Sequence, residues 1–69
     1  MTSPHAITPN GYWIRIQEWG DRYTLFTNDF EWHFILDKDL GNKRINKDKN
    51  ILVSHLREFA KSNGLEWVE

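Results

Sequence analysis

Nine residues carry the side chains with most to contribute to a contact: Trp13, Arg15, Gln17, Trp19, Arg22, Phe26, His33, Ile35 and Arg44. The first four recur at every second position, a spacing that aims them all to one side of an extended strand. Tryptophan and arginine dominate the energetics of protein contacts, the one by burying a large ring and the other by hydrogen bonding as a charged fork. A sheet face that meets water should be polar, so Trp13, Trp19, Phe26 and Ile35 among Arg15, Arg22 and His33 mark a surface that awaits a partner or a cover. Such a cover would come from the N-terminal arm or from the Trp67-Val68 tail.

Catalytic chemistry finds little support. On a strand, Glu31 and His33 share a side with Arg15 and make a set that resembles the acid, base and phosphate-binding trio that small ribonucleases mount on a sheet. A working pair needs a sheltered setting to shift its pKa values, and no cleft is evident. Ser54 and His55 are adjacent on a helix, about 100° apart, and cannot act as nucleophile and base. Asp37-Lys38-Asp39-Leu40-Gly41 has the opening of a calcium loop, but Gly41, Asn42 and Asp48 occupy the fifth, sixth and twelfth positions, where that loop needs an oxygen ligand, glycine and glutamate. His5, His33 and His55 share no metal-ligand spacing, and no phosphate loop or dinucleotide fingerprint occurs. The chain has no cysteine, hence no disulfide, thiolate nucleophile or cysteine-based zinc site. The reading is therefore of a non-enzyme with no catalytic residue, no metal and no cofactor.

Charge narrows the partner. Nine Lys and Arg against ten Asp and Glu leave a net charge of −1, which removes the usual electrostatic case for non-specific nucleic-acid binding. Only residues 37–50 are net basic, and Asp48 interrupts their run of Lys43, Arg44, Lys47 and Lys49. Arg15, Arg22 and Arg44 are offset by Glu31, Asp37 and Asp39 on the same nominal face.

These side chains need a scaffold, and the chain predicts an α+β one. Tyr12–Trp19 alternates as a strand, and Gly20-Asp21 suits a two-residue type II′ turn into a second strand. Asn28-Asp29 reads as a second turn of the same kind, leading into a third strand through Phe30–Leu36. A two-residue loop fixes register, and the first hairpin sets Trp19 opposite Arg22, Gln17 opposite Thr24, Ile16 opposite Leu25 and Arg15 opposite Phe26. The second sets Thr27 opposite Phe30, Leu25 opposite Trp32 and Thr24 opposite His33. The core face then collects Ile14, Ile16, Tyr23, Leu25, Phe30, Trp32, Phe34 and Leu36.

Gly41-Asn42 offers another turn, with Asp39 opposite Arg44, and allows a short fourth strand over Lys43–Asn46. A helix follows. Asn46 or Asp48 can cap it, Leu52, Val53, Leu56, Phe59 and Ala60 recur at helical spacing, and Asn63-Gly64 ends it. The predicted architecture is β-β-β-α: a three-stranded antiparallel sheet packed on one C-terminal helix, with residues 1–10 a flexible arm and 11–69 a single domain. In outline this arrangement is similar to plant transcription-factor and integrase arm-binding domains that read DNA with the sheet, a likeness of architecture with no motif behind it.

Apolar runs of no more than three residues, such as Phe34-Ile35-Leu36 and Ile51-Leu52-Val53, far short of the roughly 20 needed to cross a bilayer, together with the absence of a secretion signal, point to a soluble cytoplasmic protein without a membrane role. The expected function is that of a small interaction module. It would bind a larger protein through the aromatic and arginine face and regulate or inhibit it, in the manner of stoichiometric regulators encoded by phage and mobile elements. Sheet-face binding of DNA or RNA is the alternative, and self-association through the same face a third reading.

Overall fold

The computed structural model describes residues 3–69. It is α+β, with five antiparallel strands and two helices. The strands are β1 (His5–Ile7), β2 (Trp13–Trp19), β3 (Arg22–Thr27), β4 (Ile45–Asn46) and β5 (Glu66–Val68), in sheet order β4-β3-β2-β1-β5. The helices are α1 (Phe30–Leu40) and α2 (Lys49–Asn63), and a 3₁₀ turn over Gly41–Arg44 links α1 to β4.

The first hairpin has the predicted register: Trp19 faces Arg22, Gln17 faces Thr24, Ile16 faces Leu25 and Arg15 faces Phe26. Gly20 takes a φ of 61° while Asp21 stays at negative φ, the sign pattern a type II′ turn requires. The end of α2 also follows expectation. Gly64 adopts the left-handed conformation at φ 67°, and the Leu65 amide bonds back to the Ala60 carbonyl at 2.8 Å. Asp48 caps the start of α2 by accepting from the Asn50 amide at 2.9 Å.

The predicted third strand is a helix. Asp29 closes no hairpin; its backbone is extended and its Oδ1 accepts from the Trp32 amide, three residues on, at 3.3 Å. That is an N-cap, and it diverts the chain into α1. Phe30 to Leu40 holds two periodicities at once. Phe30, Trp32, Phe34 and Leu36 alternate, but Trp32, Ile35, Leu36 and Leu40 form a helical stripe, and it is this stripe that packs inward. Phe30 and Phe34, expected in the core, stand outside at 76% and 59% exposure and pack edge to face on each other, 5.1 Å between ring centroids. Trp32 meets Phe59 edge to face and so ties α1 to α2.

The N-terminal end differs from expectation as well. His5–Ile7, read as part of an irregular arm, pairs with β2 on one side and with β5 on the other; the remainder of that arm at residues 1 and 2 lies outside the described residues. Trp67 and Val68 belong to an edge strand. Among the described residues, His5–Ile7 and Glu66–Val68 lie within the sheet and not over it.

The core gathers Ala6, Ile14 and Leu25 from the sheet with Trp32 and Leu36 from α1 and Leu52, Leu56, Phe59 and Ala60 from α2. Paired residues share a sheet face, so the row Trp67, Ala6, Ile14, Thr27 and the pair Ile16 and Leu25 define the covered side. Both helices pack there, and the opposite side of the sheet carries neither.

A buried carboxylate ties the β1–β2 loop to α1. Asp29 Oδ2 accepts from the Thr8 hydroxyl at 2.7 Å and from Asn10 Nδ2 at 3.1 Å. Burial pushes this carboxyl's pKa up, but the hydrogen bonds from Thr8, Asn10 and the Trp32 and Glu31 amides outweigh it and hold the pKa below the ordinary value. No helix among the described residues is long and apolar enough to cross a membrane.

Candidate interaction face

Register assigns the uncovered side residue by residue. One row across it runs Val68, His5, Arg15, Phe26; others run Glu66, Ile7, Trp13 and Gln17, Thr24, Ile45, and the hairpin end holds Trp19 opposite Arg22. Trp13 is 52% exposed and Trp19 63%, values far above those of a covered ring. Arg15 and Arg22 are exposed, while Gln17, Thr24 and Phe26 are half-buried among their neighbours.

Local geometry holds the aromatic side chains in place. Trp13 stacks against His5 with ring centroids 4.8 Å apart, and His5 is itself held by Nδ1 at 2.8 Å from the Ser3 carbonyl. Trp19 donates from its indole Nε1 to Gln17 Oε1 at 2.9 Å, which fixes the ring along the strand. Two shallow depressions flank Arg15. One of about 320 Å³ is lined by Tyr12, Trp13, Arg15, Phe26 and Asn28, and one of about 380 Å³ by Ser3, His5, Trp13, Arg15 and Gln17.

The six expected face residues on β2 and β3 therefore stand together: Trp13, Arg15, Gln17, Trp19, Arg22 and Phe26. The three expected from later in the chain do not share their sheet. His33 lies on α1, exposed, and reaches the rim, where it lines a groove of about 300 Å³ with Trp19, Phe26 and Arg44. Ile35 packs against the core and leaves the face altogether.

Arg44 is buried and structural. Its Nη2 donates to the Leu25 carbonyl at 2.7 Å and its Nη1 pairs with Asp37 at 2.5 Å, while the turn that would set Asp39 opposite it is replaced by the end of α1 and the 3₁₀ segment. The guanidinium holds the Asp37 carboxyl below its ordinary pKa, burial opposing it and the nearby His33 adding a smaller pull downward.

The resemblance to a ribonuclease trio dissolves. On α1, Glu31 and His33 sit two residues apart on a helix and so point about 200° apart around its axis. Glu31 is occupied by Asn10 at 3.3 Å and His33 approaches Asp37 at 3.7 Å. Among the described residues, no group of three or more His, Cys, Asp or Glu side chains is placed to hold a metal ion.

Sequence reasoning missed His5, Tyr12 and Ile45, all of which border or join the face. A three-residue strand such as β1 carries too little periodicity to announce itself. Ile45 falls in the short strand allowed over Lys43–Asn46, but the turn expected at Gly41-Asn42 pairs that strand with the segment before it, whereas β4 pairs with β3 and sets Ile45 beside Thr24.

Compared with known proteins, the chain matches no family model, no curated protein and no solved structure.

Proposed function

We propose that this protein is a non-enzymatic interaction module that binds a larger protein through the open sheet face and regulates or inhibits it by occupying a surface. The observation that carries this reading is the one-sided packing of the sheet: both helices cover one side, and the other presents Trp13 and Trp19 more than half exposed beside Arg15. Aromatic rings flanking an arginine, ringed by half-buried polar residues, have the composition of a binding hot spot. The depressions beside Arg15 are open and shallow, a shape suited to a protein surface more than to an enclosed small molecule.

Nucleic acid is the competing partner, and salt separates the two. Phosphate binding weakens log-linearly with salt in proportion to the phosphates contacted, while an aromatic protein contact responds little. The test is capture from a cell lysate by wild type and by a Trp13→Ala/Arg15→Ala variant, each with and without nuclease. Protein retained by wild type alone, insensitive to nuclease and to salt, is the expected result. Recovery of nucleic acid, or of protein lost after nuclease, overturns it.

A further inference from the structure

The identity of the partner's contact group follows from Arg15, given the reading of the open face as the contact surface, on which this inference rests. The chain has four arginines. Arg22 pairs with Asp21 at 3.2 Å, Arg44 with Asp37 at 2.5 Å and Arg57 with Glu69 at 3.0 Å. Arg15 alone has no carboxylate partner among the described residues. It is exposed in the middle of β2, the central strand of the five, with His5 and Phe26 opposite and Trp13 two residues before it. Both depressions of the face share Arg15 and Trp13 as a wall.

We propose that Arg15 receives a side-chain carboxylate, Asp or Glu, that the partner protein presents next to an apolar residue, with the apolar residue lying against Trp13 and Phe26. A guanidinium offers a planar fork that a carboxylate meets with two parallel hydrogen bonds. Flanking aromatic rings exclude water from such a pair once the partner docks, which strengthens it.

Two other occupants fit less well. A nucleic-acid strand presents a series of phosphates, but no strand of the sheet carries a lysine, and Arg22 is already paired. A second copy packed face to face about a twofold axis would bring Arg15 at the centre of one face toward Arg15 of the other, like charge against like.

The test is a displayed library of random 12-residue peptides panned against immobilised wild type, Arg15→Gln and Trp13→Ala, all three first checked for native circular dichroism. Wild type is expected to enrich Asp or Glu beside an aliphatic or aromatic residue. A synthetic peptide of that consensus should bind Arg15→Gln on the order of ten- to a hundred-fold more weakly. Changing the peptide's acid to its amide should cost wild type the same factor and Arg15→Gln nothing further, because one contact cannot be lost twice. A consensus without an acid, or losses that multiply, overturns the carboxylate while leaving the contact face intact if binding still needs Trp13. Peptides indifferent to both substitutions, or no enrichment over a blank surface, overturn the inference and the reading beneath it together. Retention of a random single-stranded DNA 12-mer that depends on Arg15, in place of acidic peptides, assigns the site to phosphate and overturns it as well.

Discussion

Arg44 donates from Nη2 to the main-chain carbonyl of Leu25 at 2.7 Å. Thr24 pairs with Ile45, so continuing the ladder by one step would set Leu25 opposite Arg44. There the chain has turned into the 3₁₀ segment, and the side chain of Arg44 supplies the donor that a strand amide would otherwise provide. An open edge of β3 is closed by a guanidinium, and Asp37 on α1 neutralises it.

Arg44→Ala should therefore lower stability by about 2–3 kcal/mol, since it leaves a buried carbonyl unpaired and removes a charged hydrogen bond. Urea unfolding measures it. A loss under about 0.5 kcal/mol, the range of an ordinary surface change, would show that the contact does not support the fold.

Acid should unfold the protein through Asp29 and Asp37. Both carboxyls titrate below their ordinary values in the folded state. Their stabilisation is fully present above the unfolded-state value of about 4 and is lost as pH falls through the folded values. The urea midpoint is expected to hold steady from neutral pH down to about 5 and to drop below about 4. Asp29→Asn keeps an acceptor for the Trp32 amide but faces Thr8 and Asn10 with a neutral amide, so it should flatten part of that drop. An unchanged acid slope in this variant would remove Asp29 from the account.

Trp32 and Trp13 should separate stability from binding. Trp32 is buried between the helices, and Trp32→Ala should cost about 3–5 kcal/mol. Trp13 is half exposed, and Trp13→Ala should cost less than about 1 kcal/mol. Denaturation midpoints of the two variants settle it, and the reverse order would mean that the covered and open sides of the sheet have been exchanged.

Phe34 tests the helix itself. As a core residue of a strand, Phe34→Ala would cost about 3–5 kcal/mol. On the outer side of α1, where Phe34 is 59% exposed, the expected loss is below about 1 kcal/mol. Unfolding of this single variant decides between the two.

These cases show where sequence was legible. The β2–β3 hairpin could be read because Gly20-Asp21 fixes its register and seven residues of alternation reveal its faces. The helix α2 could be read because its stripe is uninterrupted and both caps are explicit. Residues 30–36 were misread because alternation and helical stripe coexist there, and the arbiter is a capping bond of Asp29 whose carboxylate is also held by Thr8 and Asn10, some twenty positions earlier. The short strands are held by pairing, β1 on the edge of β2, β4 on the edge of β3 and β5 on the edge of β1, a tertiary cause that no local pattern records. The open face survived the misreading since six of its nine expected residues lie on the hairpin. Ile35 and Arg44 did not, because a helix and a 3₁₀ turn send them inward.

Two aromatic surfaces remain exposed, Trp13 and Trp19 on the sheet and Phe30 and Phe34 on α1. The most direct test of the sheet face as the contact surface compares partner capture by wild type, by Trp13→Ala/Trp19→Ala and by Phe30→Ser/Phe34→Ser, each shown folded by its unfolding transition. Capture lost in the tryptophan variant and kept in the phenylalanine variant is the predicted result, and the opposite pattern would move the contact to α1 and contradict the account.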